Sequence, residues 1–352
     1  MILNVIKIFF PAIIAFIIGI LITPFFSHYF YKYKMWRKTP RSKVTNSTDF
    51  NKIYNGEGKM ELSTPRIGGI IIWGSVLLTI FVIFLIFVIY PTELTHKMEF
   101  LSRNQTIIPI FVLIFASLLG LIDDFLQIFG KKNYAEDPIS YRWIKVSMVI
   151  FIGFLVGLWF FYKLGVSSVH IPFGGELELG LLFIPFFILV MLGTFSSSVI
   201  DGIDGLSGGV LATIFASYTI IAFFNNQIDL AAFCAVVTGA ILAFLWFNIS
   251  PARFYMGETG ILGLTVTLAV VAFLTESVLV LPIIALPLVL TSGSVLIQWI
   301  YRFLGKGKKI FRIVPLHHHL EVIGWSRTKI TMRFWIISII FSIIGTMIAL
   351  IS

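Results

Sequence analysis

The run IIPIFVLIFASLLGLIDD, from Ile107 to Asp124, decides how the chain is read. Residues 107–122 carry no charge, and two carboxylates follow without a spacer. Such a helix suits hydrocarbon, where every backbone polar group must be satisfied within the segment. A carboxylate pair at its end needs water, a partner or a metal. The stretch therefore predicts a membrane span that delivers Asp123 and Asp124 to one face of the bilayer.

Outward from this run, the 352 residues keep the same character. Hydrophobic residues make up 58% and charged residues 12%, about half the charge of a soluble domain, which excludes a soluble globular or a disordered chain. At about 20 residues per span, that content supplies about ten helices. Apolar runs recur at 6–26, 68–90, 107–122, 143–162, 181–200, 206–224, 231–249, 260–274, 278–300 and 332–351. The expected fold is an all-α polytopic membrane protein of about ten transmembrane helices, in one domain over 1–352. The first run is too long for the apolar core of a signal peptide and lacks a small-residue cleavage site, so it is read as a retained span. Turn chemistry around Pro172-Phe173-Gly174-Gly175 predicts a hairpin over 169–179. The single cysteine, Cys234, lies in an apolar run, which excludes an intramolecular disulfide and leaves a small core residue.

The net charge of +9 reports topology rather than nucleic-acid binding, because the cations are distributed asymmetrically. Of the 26 Lys and Arg residues, only Lys7, Lys97, Arg103 and Lys163 fall on the side of the even-numbered loops. The positive-inside rule then places the odd loops in the cytoplasm and both termini outside. Asp123 and Asp124, Asp201 and Asp204, Glu258 and Glu321 all come to that cytoplasmic face.

Each acidic group suggests chemistry. Adjacent carboxylates at 123 and 124 repel unless a cation neutralises them, and hard oxygen ligands suit Mg²⁺, which is held by one or two carboxylates together with substrate phosphates. In Asp201-Gly202-Ile203-Asp204-Gly205 the glycines permit close backbone approach, while the carboxylates can accept hydrogen bonds from sugar hydroxyls or base N–H groups. The loop 248–258 gathers Asn248, Arg253, aromatic Phe254 and Tyr255, read as exposed, and Glu258; aromatic faces stack nucleobases. His317, His318 and His319 cannot all face one way on a helix, so phosphate binding or proton transfer by one or two of them is expected rather than a tridentate zinc site. Carboxylates, cations and an aromatic shelf at a membrane boundary suit phosphoryl transfer between a nucleotide and a lipid.

The order of Thr64-Pro65-Arg66-Ile67-Gly68-Gly69, Leu119 to Asp124, Asp201 to Leu206, the 248–258 loop and His317 to His319 resembles the polyprenyl-phosphate N-acetylhexosamine-1-phosphate transferase superfamily. Lys309 to Glu321, Gly324 to Lys329 and Arg333-Phe334-Trp335 most resemble its phospho-N-acetylmuramoyl-pentapeptide transferase branch. The resemblance implies a bacterial cytoplasmic-membrane enzyme, often dimeric. It would transfer phospho-N-acetylmuramoyl-pentapeptide from UDP-N-acetylmuramoyl-pentapeptide to undecaprenyl phosphate, giving lipid I and UMP with Mg²⁺ as cofactor. It also implies roles. Asp123 and Asp124 would be catalytic and, with Glu258, bind the metal, and His317 to His319 would assist catalysis. Asp201, Asp204 and Asn248 would bind substrate, Tyr255 would stack on uracil, and Arg66, Lys131 and Lys132 would join them.

Four positions depart from the branch: Glu258 stands for an aspartate, Ser196-Ser197-Ser198 for a run with asparagines and threonine, Gln127 for a lysine, and Arg66-Ile67 for Thr-Met. Arg66 is closer to the N-acetylglucosamine-1-phosphate branch, which supplies the alternative substrate. A non-catalytic paralogue or lipid-phosphate transporter is a further alternative, opposed by the gathering of polar groups at one face rather than at the bilayer midplane.

Overall fold

The computed structural model describes residues 2–37, 63–102, 104–129, 138–305 and 307–352. Most of it is helical. In chain order the elements are α1 (Ile2–Lys32), α2 (Gly69–Ile89), α3 (Glu93–Met98), α4 (Ile107–Phe129) and α5 (Pro138–Trp159), then the strands β1 (Ser168–Ile171) and β2 (Gly175–Glu178). There follow α6 (Phe183–Ser196), α7 (Leu206–Phe224), α8 (Ile228–Asn248), α9 (Gly257–Leu274), α10 (Leu281–Ile284), α11 (Leu286–Leu304), α12 (Leu316–Val322) and α13 (Arg327–Ile351). The expected hairpin is present, with β1 and β2 antiparallel in the register Ile171 to Gly175.

Nine helical segments among the described residues are long and apolar enough to cross a membrane. They match the expected spans except the one at 278–300. That segment breaks at Ala285 into α10 and α11, each beginning with a proline in its first turn, where the missing N–H and fixed φ favour a fresh helix start. Its second half is amphipathic: Thr291, Ser294 and Gln298 lie on the buried stripe. They hold the following loop, with Ser294 Oγ accepting from Leu316 N (2.9 Å) and Gln298 Oε1 from Phe311 N (2.8 Å) and Ile310 N (3.2 Å).

α9 is the axis of the bundle. Its sequence is apolar all round, the pattern of a helix enclosed by others, and every residue in it is buried except Glu258. It packs against α2, α4 and α6, while α8 joins α1 to α7 and α7 carries α13. Cys234 is buried on α8 with a free thiol, as expected. A fully apolar axis with one acidic residue at its N-terminus directs polar chemistry to that end.

Candidate active site

Three separated segments converge on the start of α9. Pro65 O accepts from Tyr255 N (2.8 Å), and the amides of Gly68 and Gly69 donate to the carbonyls of Tyr255 (2.9 Å) and Met256 (2.8 Å). From α4, the carbonyl of Ser117 accepts from Thr259 Oγ1 (2.9 Å). Two glycines allow this approach. A Cβ on Gly120 would lie 2.2 Å from the Glu258 carbonyl oxygen, and one on Gly257 would lie 1.8 Å from that of Arg66. Gly257 also has φ of +70°, a conformation that side chains with a Cβ disfavour.

The two adjacent aspartates have different surroundings, since neighbouring positions on a helix point about 100° apart. Asp124 is fully buried. Its Oδ1 accepts from Glu258 N (3.1 Å) and its Oδ2 from Thr259 N (2.9 Å), so it caps α9 from a neighbouring helix and satisfies amides that the first turn cannot. Asp123 instead faces mutable side chains. Its Oδ2 accepts from Gln127 Nε2 (2.6 Å) and from Lys145 Nζ (3.3 Å), and Arg37 donates in turn to Gln127 Oε1. Lys145 Nζ also donates to Glu258 Oε1 (2.9 Å), so one ammonium serves two carboxylates. Glu258 Oε2 is buried with no hydrogen-bond partner among the described residues.

The metal expectation is therefore revised in its ligands. No three His, Cys, Asp or Glu converge as ligands among the described residues, and Asp124 has both oxygens on backbone amides. Asp123 and Glu258 remain: two hard-oxygen donors that share Lys145, with Glu258 Oε2 lacking a hydrogen-bond partner among the described residues. That set fits a Mg²⁺ that takes its other ligands from substrate phosphates and water.

The 201–205 loop is held open by side chains. Ser207 Oγ donates to Asp201 Oδ1 (2.8 Å), and Asp204 Oδ2 accepts from Ala252 N (3.2 Å). From α13, Thr331 Oγ1 donates to the Asp204 carbonyl (3.1 Å) and Trp335 Nε1 to that of Gly205 (3.1 Å). Asn248, expected to bind substrate, is buried, and both ends of its amide are used: Oδ1 accepts from Gly205 N (3.0 Å) and Nδ2 donates to Phe254 O (2.8 Å). It fastens two site loops together. Phe254, expected to be exposed, lies wholly in the core against Phe30, Phe244 and Phe247. Tyr255 is half-buried beside it. Arg66 is buried, its Nε lacks a hydrogen-bond partner among the described residues, and its charge reaches Asp124.

The three histidines face different ways, as their consecutive positions require. A Cβ on Gly202 would lie 2.5 Å from His317 Nε2 and 3.1 Å from His318 Nε2, so both rings pack against the 201–205 loop. The two rings meet edge to face at 4.3 Å. His318 Nδ1 is 2.5 Å from Glu321 Oε2, and Arg327 Nε donates to Glu321 Oε1 (2.5 Å). Burial alone would raise the Glu321 carboxyl, but the hydrogen bond and charge of His318, then Arg327, outweigh it and hold the group below its ordinary range. His319 turns away to accept from Arg312 N at Nδ1 (3.2 Å); burial, then the Arg312 charge, lowers its pKa.

Lys131 and Lys132 lie outside the described residues. Lys145 and Arg327 are the site residues to which sequence reading gave no role, and Glu321 was placed at the same face without one. Lys145 had a signal: a lysine heading an apolar helix is costly unless paired.

The family model described as Glycosyl transferase family 4 matches residues 106–276. The chain is 34% identical over 304 residues to the phospho-N-acetylmuramoyl-pentapeptide-transferase of Chloroflexus aurantiacus, covering 83% of this chain and 78% of that protein. Against the protein of the same name from Geobacillus sp., identity is 35% over 286 residues, with 80% and 82% covered. That from Anoxybacillus flavithermus aligns over 345 residues at 32%, with 96% of each chain covered, which takes in the histidine loop as well as the carboxylates.

Proposed function

Since the chain belongs to the phospho-N-acetylmuramoyl-pentapeptide-transferase family, we propose that it transfers phospho-N-acetylmuramoyl-pentapeptide from the UDP carrier to undecaprenyl phosphate, giving lipid I and UMP. An oxygen of the lipid phosphate bonds to the β-phosphorus while the bond from that phosphorus to the UMP oxygen breaks, so the diphosphate link is remade on the lipid and UMP leaves with the bonding pair. A phosphomonoester is largely dianionic at neutral pH, its second pKa being about 6. The main obstacle is then repulsion between anions, rather than a proton.

The observation that carries this reading is the arrangement of Asp123 and Glu258 around Lys145 at the end of a membrane helix. Asp123 and Glu258 would hold the Mg²⁺, which supplies charge neutralisation to the diphosphate when bound. Lys145 offers a cation that can move from carboxylate to phosphate, and Asp123 orients the attacking oxygen. The Asp201 and Asp204 carboxylates would accept from sugar or nucleotide, Tyr255 would stack on uracil, and Lys131 and Lys132 would add positive charge. His317 to His319 close the site.

A lipid acceptor is supported by an apolar groove of about 520 Å³ between α4 and α5, lined by Phe115, Leu119, Trp143, Ile144, Ser147, Met148 and Phe151. Phe115, Leu119 and Asp123 succeed each other at four-residue spacing on one face of α4, and Ile144 adjoins Lys145. A polyprenyl chain in this groove would carry its phosphate to the carboxylates. The positive-inside bias puts this end in the cytoplasm of a bacterial inner membrane, with both termini outside. A homodimer is included in the proposal.

The test is UMP release by purified protein supplied with undecaprenyl phosphate, Mg²⁺ and either UDP-N-acetylmuramoyl-pentapeptide or UDP-N-acetylglucosamine, with Asp123→Asn as control. Turnover of the muramoyl substrate, lost in the variant, is expected. Turnover of the glucosamine substrate alone would move the chain to the branch that Arg66 resembles, and a trapped phospho-aspartate at Asp123 would overturn the direct attack.

A further inference from the structure

At the head of α13, two cations sit on one tryptophan. Lys329 Nζ lies 5.0 Å from the ring centroid of the half-buried Trp325, and Arg333 Cζ lies 4.3 Å from it. Both cationic side chains are exposed, and neither pairs with a carboxylate among the described residues. Arg327, the third cation here, is engaged by Glu321. The fold gains little from gathering these charges. Cations oppose the positive end of a helix dipole, yet Lys329 stands in the first turn of α13, which holds no acidic residue. Two like charges on one ring also repel each other.

Position in the membrane points to an occupant. About 20 residues cross the hydrocarbon core, and α13 has 25, so the core counted back from Ile351 ends beside Arg333. A charged group at that depth is costly unless it reaches the interface and a partner there. After Lys329 and Arg333, at three- and four-residue spacing, come Ile336, Ile340, Ile343 and Met347, all exposed. Such spacing forms one stripe on a helix. Cations at the boundary, continued by an apolar stripe into the core, match the headgroup and acyl chain of a single lipid.

From this arrangement we propose that Lys329 and Arg333, held on the Trp325 ring, bind the phosphate of an anionic phospholipid of the surrounding bilayer, whose acyl chain lies along the exposed face of α13. Arginine suits the phosphate as a two-pronged donor and lysine as a point charge, and basic side chains beside a span attract anionic headgroups. The bound lipid would steady the helix whose other side, through Thr331 and Trp335, carries the 201–205 loop. The inference needs the membrane span and not the transferase reading.

Native mass spectrometry of the full chain in an uncharged detergent, titrated with dioleoylphosphatidylglycerol or dioleoylphosphatidylcholine, tests it. The wild type is expected to prefer the anionic lipid. At about fivefold for each basic side chain, Lys329→Gln/Arg333→Gln should weaken the tightest phosphatidylglycerol adduct about 25-fold and leave phosphatidylcholine unchanged. Lys329→Arg/Arg333→Lys should stay within about threefold of the wild type, as should Lys308→Gln/Lys309→Gln, whose cations precede α12. Because Lys329 opposes the helix dipole, the neutral Lys329→Gln/Arg333→Gln protein should melt no lower than the wild type in detergent alone, which a merely structural role would not allow.

Equal phosphatidylglycerol binding by the wild type and that variant would overturn the inference, as would a lower melting temperature of the variant in lipid-free detergent. A wild type without preference for the anionic lipid would overturn it with no variant needed. Weakened binding of undecaprenyl phosphate with phosphatidylglycerol binding kept would overturn it too, by assigning the two cations to the acceptor. Absence of UMP release by the wild type would instead overturn the transferase reading and leave this one standing.

Discussion

The two halves of the site are built on opposite electrostatic plans. At the start of α9, two carboxylates share one ammonium and a third carboxylate is tied to backbone amides. Beside the 201–205 loop, one carboxylate is shared by an arginine and a histidine. The first half gathers three carboxylates around Lys145 and Arg66, and Glu258 Oε2 has no hydrogen-bond partner among the described residues, so it can take further positive charge. The second is satisfied as it stands. A site that must bring a dianionic phosphate to a diphosphate needs both: a place that gathers cations, and a place whose hydrogen-bond polarity is fixed before substrate arrives.

Asp123 and Asp124 break this comparison most sharply. Asp124→Ala leaves two buried amides without their acceptor, about 1–3 kcal/mol each, so the variant should lose about 2–6 kcal/mol of stability and fail to survive heating in detergent that the wild type tolerates. Asp123→Asn should leave the unfolding midpoint in place and lower kcat about 10²–10⁴-fold. If the two variants unfold at the same temperature, the division of labour between scaffold and chemistry is wrong.

Lys145→Met sharpens the charge argument in the same half. Removing the ammonium takes from Asp123 and Glu258 the cation that they share. Mg²⁺ binding, read by titration calorimetry without substrate, should strengthen about tenfold, which is about 1.4 kcal/mol, while turnover falls. Weaker Mg²⁺ binding would show that the carboxylates do not form the cation site.

How much of this was legible follows from the range of the contacts. The spans could be read because apolar runs are local, and the carboxylates could be found because an aspartate at a span end is expensive. The split of α10 from α11 had signals in Pro282, Pro287 and the Thr291, Ser294, Gln298 stripe, but the overall apolar content of 278–300 masked them. Which aspartate caps α9 and which faces Lys145 could not be read, since it depends on the angle at which α4 meets α9. Lys145 pairs across 22 and 113 residues, and only the packed helices bring it between its partners. Asn248 looked like a ligand for the same reason that it works as a fastener: an amide can donate and accept at once.

The balanced half predicts a pH effect. His318 and Arg327 hold the Glu321 carboxyl below its ordinary value of about 4.3. A group with a lowered folded pKa contributes stability that is present above the unfolded value and lost as pH falls through the folded one. Thermal stability should therefore decline below about pH 4.3, and Glu321→Gln should flatten that decline while lowering stability at neutral pH. An unchanged acid limb in the variant would mean that Glu321 is not held by its neighbours.

The smallest effect concerns where the anionic half meets the membrane. Ser147 lies in the wall of the α4 and α5 groove with its hydroxyl bonded back to Trp143 O (2.9 Å), so replacing it changes groove width without removing a partner from the carboxylates. Ser147→Trp fills space that a polyprenyl chain would occupy and should raise KM for undecaprenyl phosphate about fivefold, about 1 kcal/mol, with kcat retained. A short-chain acceptor that never enters the groove should keep its wild-type KM, and that contrast separates a lost chain contact from a disturbed Lys145 two residues away. If both acceptors lose equally, the groove shapes the carboxylate cluster; if neither does, the chain approaches Asp123 by another face of the bundle.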